Sequence, residues 1–346
     1  MLYSPATDAM RAVASMSSAL TIRAALTRGA VITLANWPVV LVEFVVETAY
    51  KAALGVPILG GAFMVALLLG VDVRSLVGEE LISAADQILV RLATAPAALA
   101  AFLAALALVG VGGAVTMYVV KAGTLALLVR GEATAPELYR RPGGVGVMRD
   151  ASAYTLPALW DAVRHFERRA AVLAFWLGMV YVLIGGGYLL AVGWGARVVA
   201  DSAWSPAWPL LVLVATSAAV IGITGANLLF DLTRVVIVTD DCGVRVAFGR
   251  VRAFLLEDAR QVLGIFGAMG TILLLATAGS ITATAGLALV AWVPLAGLLF
   301  VPLQVAFWIL RGLVFEYMGL VTLSAYQTQY RRFAAPHGAQ LRVQER

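Results

Sequence analysis

Glu43, Glu47 and Lys51 recur at four-residue spacing inside an otherwise apolar segment. A helix there presents all three as one stripe, with Glu47 placed to pair with Lys51. Turned toward a bundle interior, the stripe is a cation or proton site; turned toward lipid headgroups, it is the polar face of an interfacial helix, the simpler expectation. Lys121, Arg311 and Glu316 stand near the ends of other apolar runs. Snorkelling accounts for the two bases, and a Lys121–Glu316 contact between helices is the sharper alternative. Asn227, Asp231 and Arg234 close a further run, where Asp231 and Arg234, three apart, can pair on one helix face.

Enzymatic chemistry finds little support. Cys242 is the single cysteine, and His165 and His337 are the only histidines, which excludes disulfide frameworks and Cys/His zinc sites. There is no P-loop, no His-Glu-x-x-His and no Gly-x-Ser-x-Gly elbow. The Arg-Arg-Pro-Gly-Gly run at 140–144 lacks the strand and helix a phosphate loop requires, and reads as a connector. No catalytic residue, metal or cofactor is expected, an all-carboxylate metal site being the one arrangement left open.

The elements that carry these residues are membrane helices. Hydrophobic residues make up 62% of the 346 and charged residues 13%, with a mean hydropathy of +0.92, far from the soluble norm. Residues 261–310 contain no Asp, Glu, Lys or Arg, long enough for two spans at about 20 residues each. The expected fold is all-α: a polytopic bundle over 30–330 with spans near 30–70, 95–129, 170–192, 209–231, 262–280 and 286–315, and tails at 1–29 and 331–346. Segment 30–70 reads as one long helix bent near Gly55 and Pro57, or as an interfacial helix leading into a span. Counting 30–50 as a separate span gives seven. Residues 1–28 lack a signal-peptide apolar region and read as a tail.

Nineteen arginines fall on the two tails and the segments 130–169 and 234–260, against Arg74, Arg91 and Arg197 on the opposite side. The positive-inside rule then puts both termini in the cytoplasm, with outer loops near 71–95, 193–208 and 280–286. The net charge of +5 follows this pattern, so nucleic acid is not an expected partner. Two amphipathic surface helices, near 156–169 and 242–258, are expected on the inner leaflet, with Arg164, Arg168, Arg169, Arg245, Arg250 and Arg252 at anionic headgroups and the apolar faces on acyl chains or the ends of the bundle. Thr155 suits the N-terminus of the first, Asp240 and Asp241 that of the second. Each leads into a span hairpin, a weak architectural repeat. Trp194, Trp204 and Trp208 read as interface anchors. Gly110, Gly112, Gly113, Gly185 to Gly187, Gly222 and Gly225 read as close-packing positions.

The run Asp231-Leu232-Thr233-Arg234-Val235-Val236-Ile237-Val238, followed by Asp240-Asp241 and an Arg-rich helix, resembles a pattern in uncharacterised bacterial six-span proteins related to the membrane domain of glycerophosphodiester phosphodiesterases. The resemblance spans about a third of the chain and implies a helical bundle without catalytic residues of its own. The functional expectation is a non-enzymatic membrane protein of the bacterial inner membrane, a scaffold or accessory subunit that organises lipid or partner proteins. The alternative is a transporter or permease subunit for a small molecule or lipid. Expected partners are membrane lipids, other membrane proteins or a second copy of the chain.

Overall fold

The computed structural model describes residues 21–68, 96–134, 145–200, 208–291 and 296–344. These form eight helices: α1 (Ile22–Ala35), α2 (Trp37–Leu68), α3 (Pro96–Thr134), α4 (Val145–Asp150), α5 (Leu156–Ala200), α6 (Trp208–Asp240), α7 (Val244–Ala291) and α8 (Ala296–Gln344). Five are long and apolar enough to cross a membrane, and the bent pair α1–α2 makes a sixth candidate. This is the architecture of an all-α, multi-pass membrane protein. Arg74, Arg91, the loop 71–95, the connector 140–144 and Trp204 lie outside the described residues.

Neighbouring contacts run α2–α3–α5–α6–α7–α8 and back to α2, so six helices close a ring. The last turns of α6 reach across it to α3 and α8, and Leu232 to Val238 are all buried, Thr233 and Arg234 among them. Phe254, Tyr330 and Phe333 pack ring against ring beside them. At the other end the ring faces outward: Leu183, Leu189, Leu190, Leu213 and Ile221 are exposed, the surface that hydrocarbon covers in a membrane.

Several expected boundaries are corrected. The chain bends by 81° between α1 and α2, while α2 stays helical through Gly55 and Pro57. The break falls at Asn36 because Pro38 has no N–H to give the α1 ladder and its ring clashes with the carbonyl four residues back. Asn36 then holds the corner, donating to the Ile32 and Ala151 carbonyls and accepting from Ala153 N at 2.8 Å. Residues 22–29 belong to α1, capped by Thr21. Residues 280–286 are helical, part of α7, which runs on to Ala291.

The surface helix expected at 156–169 is the first part of α5, which runs unbroken from Leu156 to Ala200. After Pro157 in its first turn, no glycine or proline occurs until Gly178. Its apolar stripe, with Leu159, Phe166 and Ala170 buried, packs on the bundle rather than on acyl chains. The 242–258 segment is set off by non-helical backbone at Asp258, yet Ala247, Val251 and Phe254 are likewise fully buried in the core. Thr155 accepts from Ala158 N at 3.2 Å, as an N-cap does. Asp240 and Asp241 do not cap α7: Asp240 accepts from Arg250 and Tyr330, and Asp241 from Arg169.

Of the glycines the spacing singled out, Gly113 packs tightly, a Cβ there striking the Tyr50 ring, and Gly222 meets Ile184 at 3.4 Å; other close approaches fall at glycines it did not name. A Cβ on Gly29 would stand 2.6 Å from the Val321 carbonyl, where α1 crosses α8. By contrast Gly185, Gly186, Gly187, Gly112 and Gly225 face nothing within 4 Å, so the close-packing reading fails for them, and α5 continues through its triple glycine without unwinding.

Candidate functional site

On α2, the four-residue spacing puts Glu43 and Glu47 on one face, and that face meets α3. Lys121, at the centre of the meeting, stands 3.3 Å from Glu47, 3.5 Å from Glu316 of α8 and 4.0 Å from Glu43. Thr124, three residues after Lys121 on α3, donates its hydroxyl to Glu43. Glu47 also pairs with Lys51 at 2.6 Å. Glu43 is only 3% exposed, so the stripe turns into the bundle at Glu43, while its other end, Lys51, is 66% exposed and points outward. Burying charge costs several kcal/mol per ion unless partners replace water, and here three carboxylates share one ammonium.

A second pair lies across the ring on α6. Arg234, buried at 5% exposure, donates to Asp231 at 2.6 Å, and its guanidinium sits 4.9 Å from the centre of the Tyr118 ring, a cation–π geometry. One turn away, Asn227 accepts from the Tyr181 hydroxyl of α5. The Tyr118 hydroxyl donates to the Phe230 carbonyl at 3.3 Å.

Between the two groups is a cavity of about 510 Å³, within the size range of small-molecule sites. Every helix of the ring contributes to its wall: Glu43, Lys121, Tyr181, Asp231, Met269 and Glu316 stand for the six. Three carboxylates and two cations line it, and both cations are already engaged with carboxylates. Apolar groups, among them Met117, Leu177, Phe266 and Leu273, fill the remainder. Such a chamber can take up a proton or a small cation with an apolar body. Among the described residues no three of His, Cys, Asp and Glu converge as a metal cage.

The other expected residues lie elsewhere. Lys51 and Arg311 face outward beside a groove between α2 and α8. Arg169 pairs with Asp241 and Arg250 with Asp240, so both are held by the protein itself. Arg164, 4.9 Å from the Trp160 ring centre, is exposed, as are Arg168, Arg245 and Arg252. His165 is 2.9 Å from Asp241, outside the chamber.

Sequence reasoning missed Tyr118, Thr124 and Glu132. Tyr118 and Thr124 stand three residues on either side of Lys121 on α3, a signal that was legible. Glu132 gave none: its side chain, 1% exposed, accepts from Arg28 of α1 at 2.9 Å and from Gln327 and Arg331 of α8 at 2.5 and 3.3 Å, partners about 100 or more residues away in the chain. Comparison with protein-family models, with curated proteins and with solved structures yields no match.

Proposed function

We propose that the protein is a permease that passes a small cationic solute, or a proton coupled to a solute, through the chamber at the centre of its helix ring. The observation that carries this reading is the wall itself: all six ring helices contribute, and carboxylates outnumber cations three to two. Ionisable groups held at such depth mark substrate and ion pathways in membrane proteins. The scaffold expectation drew on a scarcity of polar groups within the spans. Glu43, Lys121, Asn227, Asp231, Arg234 and Glu316 nevertheless line one cavity, and that favours the transport alternative.

On this reading both termini face the cytoplasm, as the arginine distribution requires, and the membrane is the bacterial inner membrane, in keeping with the Arg- and Ala-rich, Lys-poor composition. No catalytic step is invoked, and the resemblance to phosphodiesterase membrane domains brings none.

The test is reconstitution into liposomes, with trapped pyranine reporting proton flux and labelled choline, ethanolamine and basic amino acids reporting cation uptake. Wild-type protein carries protons or one of these cations above the protein-free rate. Glu316→Gln, which keeps the shape of the side chain but removes its charge, lowers that flux about tenfold, the scale of one charge-assisted bond. Vesicles that carry neither protons nor any of the cations above the protein-free rate would overturn the reading.

A further inference from the structure

The outer side of the ring carries a second cavity, and nothing in the transport reading uses it. On α2, Phe44, Glu47 and Lys51 recur at three- and four-residue steps; on α8, Trp308, Arg311 and Phe315 do the same. The two stripes face each other across a groove of about 340 Å³. Phe44 and Trp308 meet edge to face with ring centres 6.5 Å apart, and Gly312 leaves room for the Phe44 ring, which a Cβ there would strike. The surroundings are a lipid-facing surface: Val45, Ile309, Leu310 and Val314 are all exposed.

Arg311 is the anomaly in this setting. It is exposed among apolar side chains, its guanidinium lies 5.7 Å from the centre of the Phe315 ring, and among the described residues no carboxylate stands within ion-pair distance of it, Glu47 being engaged by Lys51 and Lys121 and Glu316 by Lys121. A guanidinium at the hydrocarbon boundary is stabilised by an anion with paired oxygens, and phosphodiesters match its fork of N–H donors. The molecule that reaches a lateral groove from the lipid phase and carries such a group is a membrane phospholipid.

We infer that the α2–α8 groove binds one membrane phospholipid, its phosphodiester held by Arg311 and Lys51 and the upper part of one acyl chain lying against Trp308. The Glu47–Lys121–Glu316 bridge is then the wall between this lipid and the central chamber, since Glu316 lines both cavities.

The experiment is native mass spectrometry of the full chain released from nanodiscs of phosphatidylethanolamine and phosphatidylglycerol. Wild-type protein retains one phospholipid through delipidation. Arg311→Gln lowers retention about tenfold, as loss of a charge-assisted contact requires, and Arg311→Lys, which keeps a point charge without the fork, falls between. Arg197→Gln, at the far end of α5, retains lipid as wild type does. Helical content by circular dichroism separates loss of the site from loss of the fold, and Lys51→Gln, on the opposite wall, gives a second measurement should Arg311→Gln fail to fold. Equal retention by wild type and a folded Arg311→Gln overturns the inference. So does displacement of the lipid by millimolar inorganic phosphate, which would make the groove a site for free anions. A lipid-free dimer that dissociates on Arg311→Gln would assign the groove to a second copy of the chain and overturn it as well.

Discussion

Replacing Glu132 with alanine tests whether the packed end of the bundle is as dry as its geometry implies. The carboxylate bridges three helices: Oε1 accepts from Arg28 at 2.9 Å and Thr328 at 3.2 Å, and Oε2 from Gln327 at 2.5 Å and Arg331 at 3.3 Å. Arg331 is about one-third exposed and can turn to solvent; Arg28, 5% exposed, cannot. Truncation therefore leaves a buried guanidinium without this carboxylate and strands the amide of Gln327. Removing one partner of a buried ion pair costs about 3–5 kcal/mol. At about 2–4 °C of Tm per kcal/mol for a large chain, the expected loss is about 6–20 °C. Thermal unfolding of the detergent-solubilised protein at a fixed scan rate, followed by tryptophan fluorescence, reads it. Glu132→Gln keeps the shape and one accepting oxygen, enough for Arg28 and Thr328, but sets an amide NH2 against the donors of Gln327 and Arg331, and should lose less than Glu132→Ala. A shift under about 2 °C for Glu132→Ala would mean that water reaches this layer, and the argument from burial would fail.

Two further perturbations probe the packing and the turn. Gly29→Ala should destabilise by about 1–3 kcal/mol, because the new methyl meets a backbone carbonyl where α1 crosses α8, whereas Gly185→Ala, with nothing within 4 Å, should stabilise α5 by about 0.5–1 kcal/mol; the same melting assay distinguishes them. Asp241 accepts from His165 and Arg169, which hold its carboxyl below the usual carboxylate range. A lowered folded pKa contributes stability that is fully present above the unfolded value, about 3.9, and is lost as pH falls through the folded value. Asp241→Asn should thus cost under about 1 kcal/mol at pH 6, the group being largely exposed, and the difference from wild type should vanish in the most acidic melts; a difference that grows with acid would reverse the assignment.

What the sequence determined by itself is what depends on neighbours along the chain. Uncharged apolar runs dictate helices in lipid because each backbone group must be bonded within its own segment, and four-residue spacing puts Glu43, Glu47 and Lys51 on one face whatever that face meets. Pro38 marked the corner at Asn36 just as locally, although Gly55 and Pro57 read as the more conspicuous breaks. The same apolar periodicity at 156–169 served equally for a helix on a leaflet and for a helix docked on a bundle, since periodicity records that one side is dry and not what keeps it dry. Only the tertiary structure decided which helices adjoin. Closure of the ring brought Lys121 to Glu316, a contact the spacing could name but not select, turned Glu43 inward and lined the chamber from all six helices. It also joined Glu132 to Arg28 and Gln327, because a buried charge is stabilised by whichever partner packing places beside it, and side chains so far apart in the chain carry no mark of that pairing.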